Sequence, residues 1–404
     1  MPSNGTAAPQ VSLRARATDP PVIVKTKQLM SQAPPGKDVL SLAQGVVHWR
    51  PPPAATAAAA ALLAAEADQA GSGISSASGG MRAVFGAGGV HSYGPALGLP
   101  SLVEALKQKL ATRNGLTGYE VMVTSGANQG FVNVVLALCD AADRVVLFVP
   151  YYFNHIMALQ MTGGAPQVVL GPCCAGSLHP DWAWLQQQLE GPQPPKVVVL
   201  VNPCNPTGVL LSQQELQAAA AMCAAAGCWL LLDATYEDFV YDGRQHASVA
   251  GGNVISLFSF SKAYGMMGWR VGYIAYPGKQ LLQHARADTS LEEQLLKIQD
   301  TVAICPGQLS QHLALAALQQ GSSYVQESIA ALAHNRQLIA DALSPLGSHG
   351  EGWVGGDGAI YYFAKLPSRV AYANVSPQQC EVAAGRLKAG LEQLLGMERV
   401  PAMA

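Results

Sequence analysis

The chain has 404 residues, 50% of them hydrophobic and 12% charged, which supplies enough apolar material for one large domain with a smaller companion. Its net charge of −2 and pI near 6.5 offer no basic face to nucleic acid or to an anionic membrane surface. No uncharged apolar run approaches the roughly 18 residues of a membrane span. The eight cysteines and nine histidines show no paired metal-ligand spacing, so no metal is expected and the thiols read as reduced packing residues of a cytoplasmic protein.

Residues 1–20, MPSNGTAAPQVSLRARATDP, contain no apolar signal core and read as a disordered leader. Arg14 and Arg16, ahead of the first acidic residue, are the one hint of organelle targeting. The run AATAAAAALLAAEA reflects a helix-rich composition. Residues 68–90, rich in Gly, Ser and Ala, read as a flexible surface loop. Beyond them short apolar runs alternate with helical patterns. VMVT (121–124), VVLFV (145–149), KVVVLV (196–201), CWLLLD (228–233), NVISLF (253–258) and VGYIAY (271–276) read as buried strands, and QQELQAAAAMCAAAG (213–227) as one of the helices between them. Such alternation predicts an α/β protein with a mostly parallel sheet and helices on both faces. From 308 to about 345 the pattern is helical; GGDGAIYYFAKLP (355–367) reads as a strand and QQCEVAAGRLKAGLEQLL (378–395) as a final amphipathic helix. The expected division is a large domain over 51–325 and a smaller α+β domain over 326–404, the latter sharing residues 21–50.

Ligands of parallel sheets gather at the carboxyl ends of the strands, so the residues after each apolar run carry the most information. SGANQG (125–130) opens a helix with small residues that expose N–H groups to an anion. PYYFNH (150–155) places aromatic rings where one can stack on a flat ligand. NPCNPTG (202–208) holds asparagine side chains in rigid turns. DATYED (233–238) ends a buried strand on Asp233, which needs a cationic or strongly donating partner. In SFSKAYGMMGWRVGYIAY (259–276), Lys262 follows a strand among apolar neighbours, an environment favouring the neutral amine a Schiff-base lysine requires. Arg270 suits bidentate phosphate binding. A lysine for an aldehyde, an aspartate for a ring nitrogen, Asn and Tyr for a phenolic oxygen, and Arg with helix N–H groups for a phosphate together describe pyridoxal 5′-phosphate.

On these motifs the chain resembles the class I/II aminotransferases among the fold type I pyridoxal-phosphate enzymes, from about residue 20 to 395. SLAQGVVHW, HSYGPALGLPSL, VTSGANQGFVN, GCWLLLDATYEDFVYDG and GAIYYFAKLP look like family segments. The combination of AQGVVHW, PYYFN and FSFSKAYGMMGWR most resembles plant-type aromatic and methionine aminotransferases, which return indole-3-pyruvate to tryptophan with methionine as amino donor. The resemblance implies three catalytic residues: Lys262 attaches the cofactor and moves the substrate proton, Asp233 keeps the pyridine nitrogen protonated, and Tyr236, with Asn205, hydrogen-bonds the phenolic oxygen. It implies that Tyr152 stacks on the ring. Ser259, Ser261, Arg270 and the backbone of Gly126, Ala127 and Asn128 hold the phosphate. Tyr93 reaches the phosphate of a neighbouring subunit in a homodimer whose site lies at the interface, and Gly45 lies against the substrate carboxylate.

One segment departs from the family pattern. AKLP runs almost directly into SRVAYANVSPQQ, where family members place a helix and a Pro-Gly turn first. The small domain is therefore shortened near 367–369. RVAYAN looks like the strand that bears the carboxylate-binding arginine, which makes Arg369 the candidate. Carbon–sulfur lyases and cyclopropane-forming synthases share the same cofactor cage, and a chain that lost catalysis with the missing segment would remain a cofactor-binding protein.

Overall fold

The computed structural model describes residues 11–33, 38–71, 86–162, 167–282, 290–364 and 368–398. Seven strands form one sheet: β1 (Tyr119–Thr124), β2 (Arg144–Phe148), β3 (Gln167–Gly171), β4 (Val197–Val201), β5 (Trp229–Asp233), β6 (Val254–Ser259) and β7 (Gly272–Pro277), in the order β1-β7-β6-β5-β4-β2-β3. β7 runs antiparallel to both of its neighbours, while the pairs from β6 to β3 are parallel. The carboxyl ends of β1, β2, β4, β5 and β6 therefore share an edge with the amino end of β7.

The central strands are continuous apolar runs because both sheet faces are covered. Successive side chains alternate between two cores, as the period of two dictates. Val145, Leu147, Val197 and Val199 pack with Phe131 and Val134 of helix Ala127–Leu138 and Leu159 of helix Phe153–Met161. Val146, Phe148, Val198 and Leu200 pack on the other side with Leu185 of helix Trp182–Glu190 and Leu216 and Cys223 of helix Gln213–Ala225. Burying each such aliphatic side chain contributes roughly 1.5–3 kcal/mol. Helix Gln213–Ala225 starts on a capping box, with the Glu215 N–H donating to Ser212 Oγ and the Ser212 N–H donating to Glu215 Oε2. These contacts satisfy two groups the helix start would otherwise leave orphaned.

β3 was not among the expected strands. It is an edge strand with mostly half-exposed residues, so its sequence lacks the unbroken apolar signal. The expected leader also differs: Leu13–Ala17 is helical, and Asp19 both accepts from and donates to the Gln160 amide at 3.0 Å. Residues 1–10 lie outside the described part. Of the expected loop 68–90, residues up to Gly71 continue helix Pro53–Gly71, and Gly86–His91 forms a 3-10 helix; 72–85 lie outside the described residues. An alanine-rich helix persists because no proline or cap residue stops it before 71.

A second sheet has β8 (Trp353–Gly355), β9 (Tyr361–Ala364) and β10 (Ser368–Ala371), all antiparallel, in the order β10-β9-β8. Of the strand expected over 355–367, only Tyr361–Ala364 forms β9; Gly355 ends β8, and Gly355 and Gly356 turn with φ of 93° and 86°, as glycine permits. β9 and β10 pair from Ala364 opposite Ser368 to Tyr361 opposite Ala371; residues 365–367, where the shortening is expected to begin, lie outside the described residues. Helices Leu332–Leu343 and Pro377–Glu398 share the core of the second sheet: Leu332, Ile339, Cys380 and Ala384 cluster with Tyr361, Tyr362 and Ala364. Residues 38–48 are tied in by the Ala371 N–H to Leu42 O at 2.8 Å and the His48 N–H to Ala373 O at 2.9 Å. Arg336 clamps the two sheets' surroundings together. It donates to both Asp242 oxygens, at 3.2 and 2.9 Å, and to Gly356 O at 2.6 Å, and lies 4.0 Å from the Tyr241 ring centroid.

Candidate active site

The shared strand edge opens on a cleft. It is lined by Gly45, Ala127, Asn128, Tyr152, Asn205, Asp233, Tyr236, Ser259, Ser261, Lys262 and Arg270, joined by Ile23, Thr235 and Tyr361. The reversal of β7 is what brings Arg270, which precedes it, to this edge. Of the remaining expected site residues, Gly126 sits directly behind Arg270. Tyr93 is 78% exposed and outside the cleft lining. Arg369 occupies the register position opposite Phe363.

At the cleft floor Asp233 is 5% exposed. His155 Nε2 lies 3.1 Å from its Oδ2, and the Thr235 N–H donates to Oδ1 at 2.9 Å. Burial pushes this carboxyl up, but the hydrogen bond and electrostatic pull of His155 and the Thr235 donors outweigh it and hold the carboxyl below its ordinary value. His155 is itself wedged against the Phe131 ring, with centroids 4.1 Å apart and planes at 13°. Tyr152 meets His155 edge-on at 5.1 Å, and its hydroxyl accepts from Asn154 Nδ2 at 2.8 Å.

Tyr236 sits on the turn after β5, and its neighbour Glu237 anchors that turn. Lys109 Nζ reaches Glu237 Oε1 at 2.6 Å, and Asn114 Nδ2 reaches Oε2 at 2.8 Å. Burial would raise the Glu237 carboxyl, yet Lys109 and Arg113 bring it down to about 2. The Tyr236 hydroxyl lies 2.5 Å from the Tyr361 hydroxyl. Lys262 is half-buried between buried Ser261 and Ala263, less enclosed than its apolar sequence neighbours imply because it stands on the cleft wall. The turn that carries it is held by the Trp49 indole N–H, which donates to Ala263 O at 3.0 Å.

The part of the cleft expected to take a phosphate is built largely from backbone. Helix Ala127–Leu138 has no side-chain cap at Gly126, so its first N–H groups face the cleft unmatched within the helix. Arg270 donates to Met267 O at 2.9 Å and Ser125 O at 3.3 Å. Gly126 has φ of 89°, and a Cβ there would stand 2.2 Å from Arg270 Nη2. Gly126→Ala is expected to displace the guanidinium and weaken phosphate-ligand binding about tenfold, the loss of one charge-assisted hydrogen bond. Titration of the apoprotein with pyridoxal phosphate measures it.

The family description Aminotransferase class I and II matches residues 37–387. The chain belongs to this family. Aromatic aminotransferase ISS1 of Arabidopsis thaliana is 40% identical over 418 residues, covering 95% of this chain and 97% of that protein. That aligned stretch exceeds the 404 residues of this aminotransferase, so the relative carries positions this chain lacks. Valine–pyruvate aminotransferase of Mycobacterium tuberculosis is 31% identical over 280 residues, 68% of each chain. The crystal structure of an aminotransferase from Mycobacterium tuberculosis, 26% identical, superposes with a TM-score of 0.76 over 96% of this chain and 100% of that one.

Class I/II aminotransferases of this fold depend on pyridoxal phosphate. The cleft of this aminotransferase fits that group: a charged buried carboxylate stands at one end, and an uncapped helix start beside Arg270, with a cradle that a Cβ on Gly126 would fill, stands at the other. Sequence reading passed over Ile23, Thr235 and Tyr361 in the cleft and His155 behind Asp233. His155 was visible in PYYFNH, and the need of Asp233 for a donor was the signal that should have sought it. Thr235 and Tyr361 carried no comparable sign.

Proposed function

We propose that this aminotransferase moves an amino group between an aromatic amino acid or methionine and a 2-oxo acid such as indole-3-pyruvate. The convergence of Asp233, Tyr236, Lys262 and Arg270 on one cleft supports the chemistry, and the 40% identity to an aromatic aminotransferase supports the substrate class. Pyridoxal phosphate supplies an aldehyde that captures an amine and a ring that withdraws electrons. The chain's own groups do the rest. Asp233 would hold a proton on the ring nitrogen, Tyr236 and Asn205 would donate to the phenolic oxygen, and Tyr152 would stack on the ring. Ser259, Ser261, Arg270 and the N–H groups of Ala127 and Asn128 hold the phosphate. The Lys262 amine would hold the group and, as a free amine, would move the substrate Cα proton. Gly45 and Arg369 take the substrate carboxylate. A single-turnover assay with one amino acid tests this reading: one 2-oxo acid per site, without ammonia, supports it. Ammonia release would indicate a lyase, and no product would indicate a cofactor-binding protein. We further propose a cytoplasmic protein, in keeping with its reading as a protein of reduced thiols, and a homodimer, supported by the exposed Tyr93; sedimentation of the holoenzyme checks the latter. Among the described residues no helix is long and apolar enough to cross a membrane.

Arg369 supplies the planar, permanent charge that an α-carboxylate pairs with bidentately. Arg369→Lys is expected to raise KM for amino acids and 2-oxo acids alike by about tenfold to a hundredfold. Bound cofactor should stay unchanged, because its cage belongs to the first sheet. Loss of cofactor with unchanged KM would contradict the assignment.

A further inference from the structure

We infer that Tyr361 is a positioning residue that fixes the direction of the Tyr236 hydroxyl proton toward the cofactor's phenolic oxygen. This rests on the reading that pyridoxal phosphate occupies the cleft. Tyr361 is 1% exposed on β9, in the second sheet, yet its hydroxyl reaches across to Tyr236 at 2.5 Å, with ring centroids 5.6 Å apart and planes at 76°. The far side of that hydroxyl is closed by the segment at Gly45, where a Cβ would stand 1.7 Å from Tyr361 Oη. Its position is thus set by β9, by Tyr236 and by a glycine that leaves it room. Either hydroxyl can be the donor in this pair. Each carries a single proton, so once Tyr236 commits its proton to the phenolic oxygen, Tyr361 must donate to Tyr236. That donation polarises Tyr236 and makes it a stronger donor in turn.

Removing the Tyr361 hydroxyl weakens the stabilisation of negative charge on the phenolic oxygen. The oxygen then keeps the proton it shares with the lysine-linked nitrogen more tightly. The pH midpoint of the holoenzyme's visible absorbance change should accordingly rise in Tyr361→Phe, by about 0.3 pH unit. In Tyr236→Phe the midpoint should rise further, and adding Tyr361→Phe to that background should move it no more. Titrating the parent, both single variants and the double variant decides. An unchanged midpoint in Tyr361→Phe overturns the inference. So does an equal shift in both backgrounds, which would mean Tyr361 acts without Tyr236. A thermal melt reports folding of the variants independently of the midpoint. A parent protein that takes up no pyridoxal phosphate overturns the cofactor reading itself, and the inference with it; that outcome is distinct from a coloured parent whose midpoint ignores Tyr361.

Discussion

Asp233→Ala is expected to lower turnover about a thousandfold or more, several kcal/mol of transition-state stabilisation, and to weaken cofactor binding. A carboxylate that is 5% exposed is costly to keep charged unless donors face it. Here His155 and Thr235 do so at 3.1 and 2.9 Å. Because the folded-state pKa lies below the ordinary value, the Asp233 contribution to stability is fully present above the ordinary carboxylate range. It is lost as pH falls through the depressed value. The charge is therefore in place across the neutral range, as the proposed role of holding a proton on the ring nitrogen requires. Alanine removes that charge and also strands His155 in a buried pocket, so fold stability must be read beside kcat. A variant that folds, binds cofactor and turns over at near-normal rate would leave Asp233 a structural residue only.

The strand-end motifs were legible because each is local: Asp233, Tyr236, Lys262 and Arg270 all lie within a few residues of a strand in the sequence, and all line one cleft. What joins them was not. β4 stands between β2 and β5 in the sheet, so nothing in PYYFNH or DATYED says that His155 meets Asp233. The reversal of β7 is equally silent, although Arg270 depends on it to reach the phosphate end. Tyr361 lies on a different sheet altogether, and only the packing of 38–48 and β9 on the strand edge brings it to Tyr236.

The second sheet shows the same limit from the other side. The resemblance implied a shortened segment near 367–369; the described strands β9 and β10 pair from Ala364 opposite Ser368 to Tyr361 opposite Ala371, and antiparallel neighbours can be joined by a short connection. Edge strand β3 and helix Leu13–Ala17 were missed for a simpler reason. The helix is largely exposed and β3 is half-exposed, and such elements lack the apolar periodicity on which a sequence reading depends.

Lys262→Ala and Lys262→Arg are both expected to lower turnover by at least about a thousandfold, since one side chain serves as nucleophile and as general base. The pair is informative because arginine keeps the charge but cannot deprotonate in a protein. If Lys262 acted only by its charge, Lys262→Arg would retain much of the activity. If its amine does the chemistry, the two variants fail alike. The phosphate grip of Arg270 and the helix start lies on other residues, so both variants should still bind pyridoxal phosphate, without the covalent link. Borohydride reduction of the parent should fix the cofactor to the peptide that contains Lys262, and reduction of either variant should leave it removable. Label on any other lysine of the parent would place the attachment elsewhere, and the cleft at the edge of β5 and β6 would then lose its claim to be where the amino group moves.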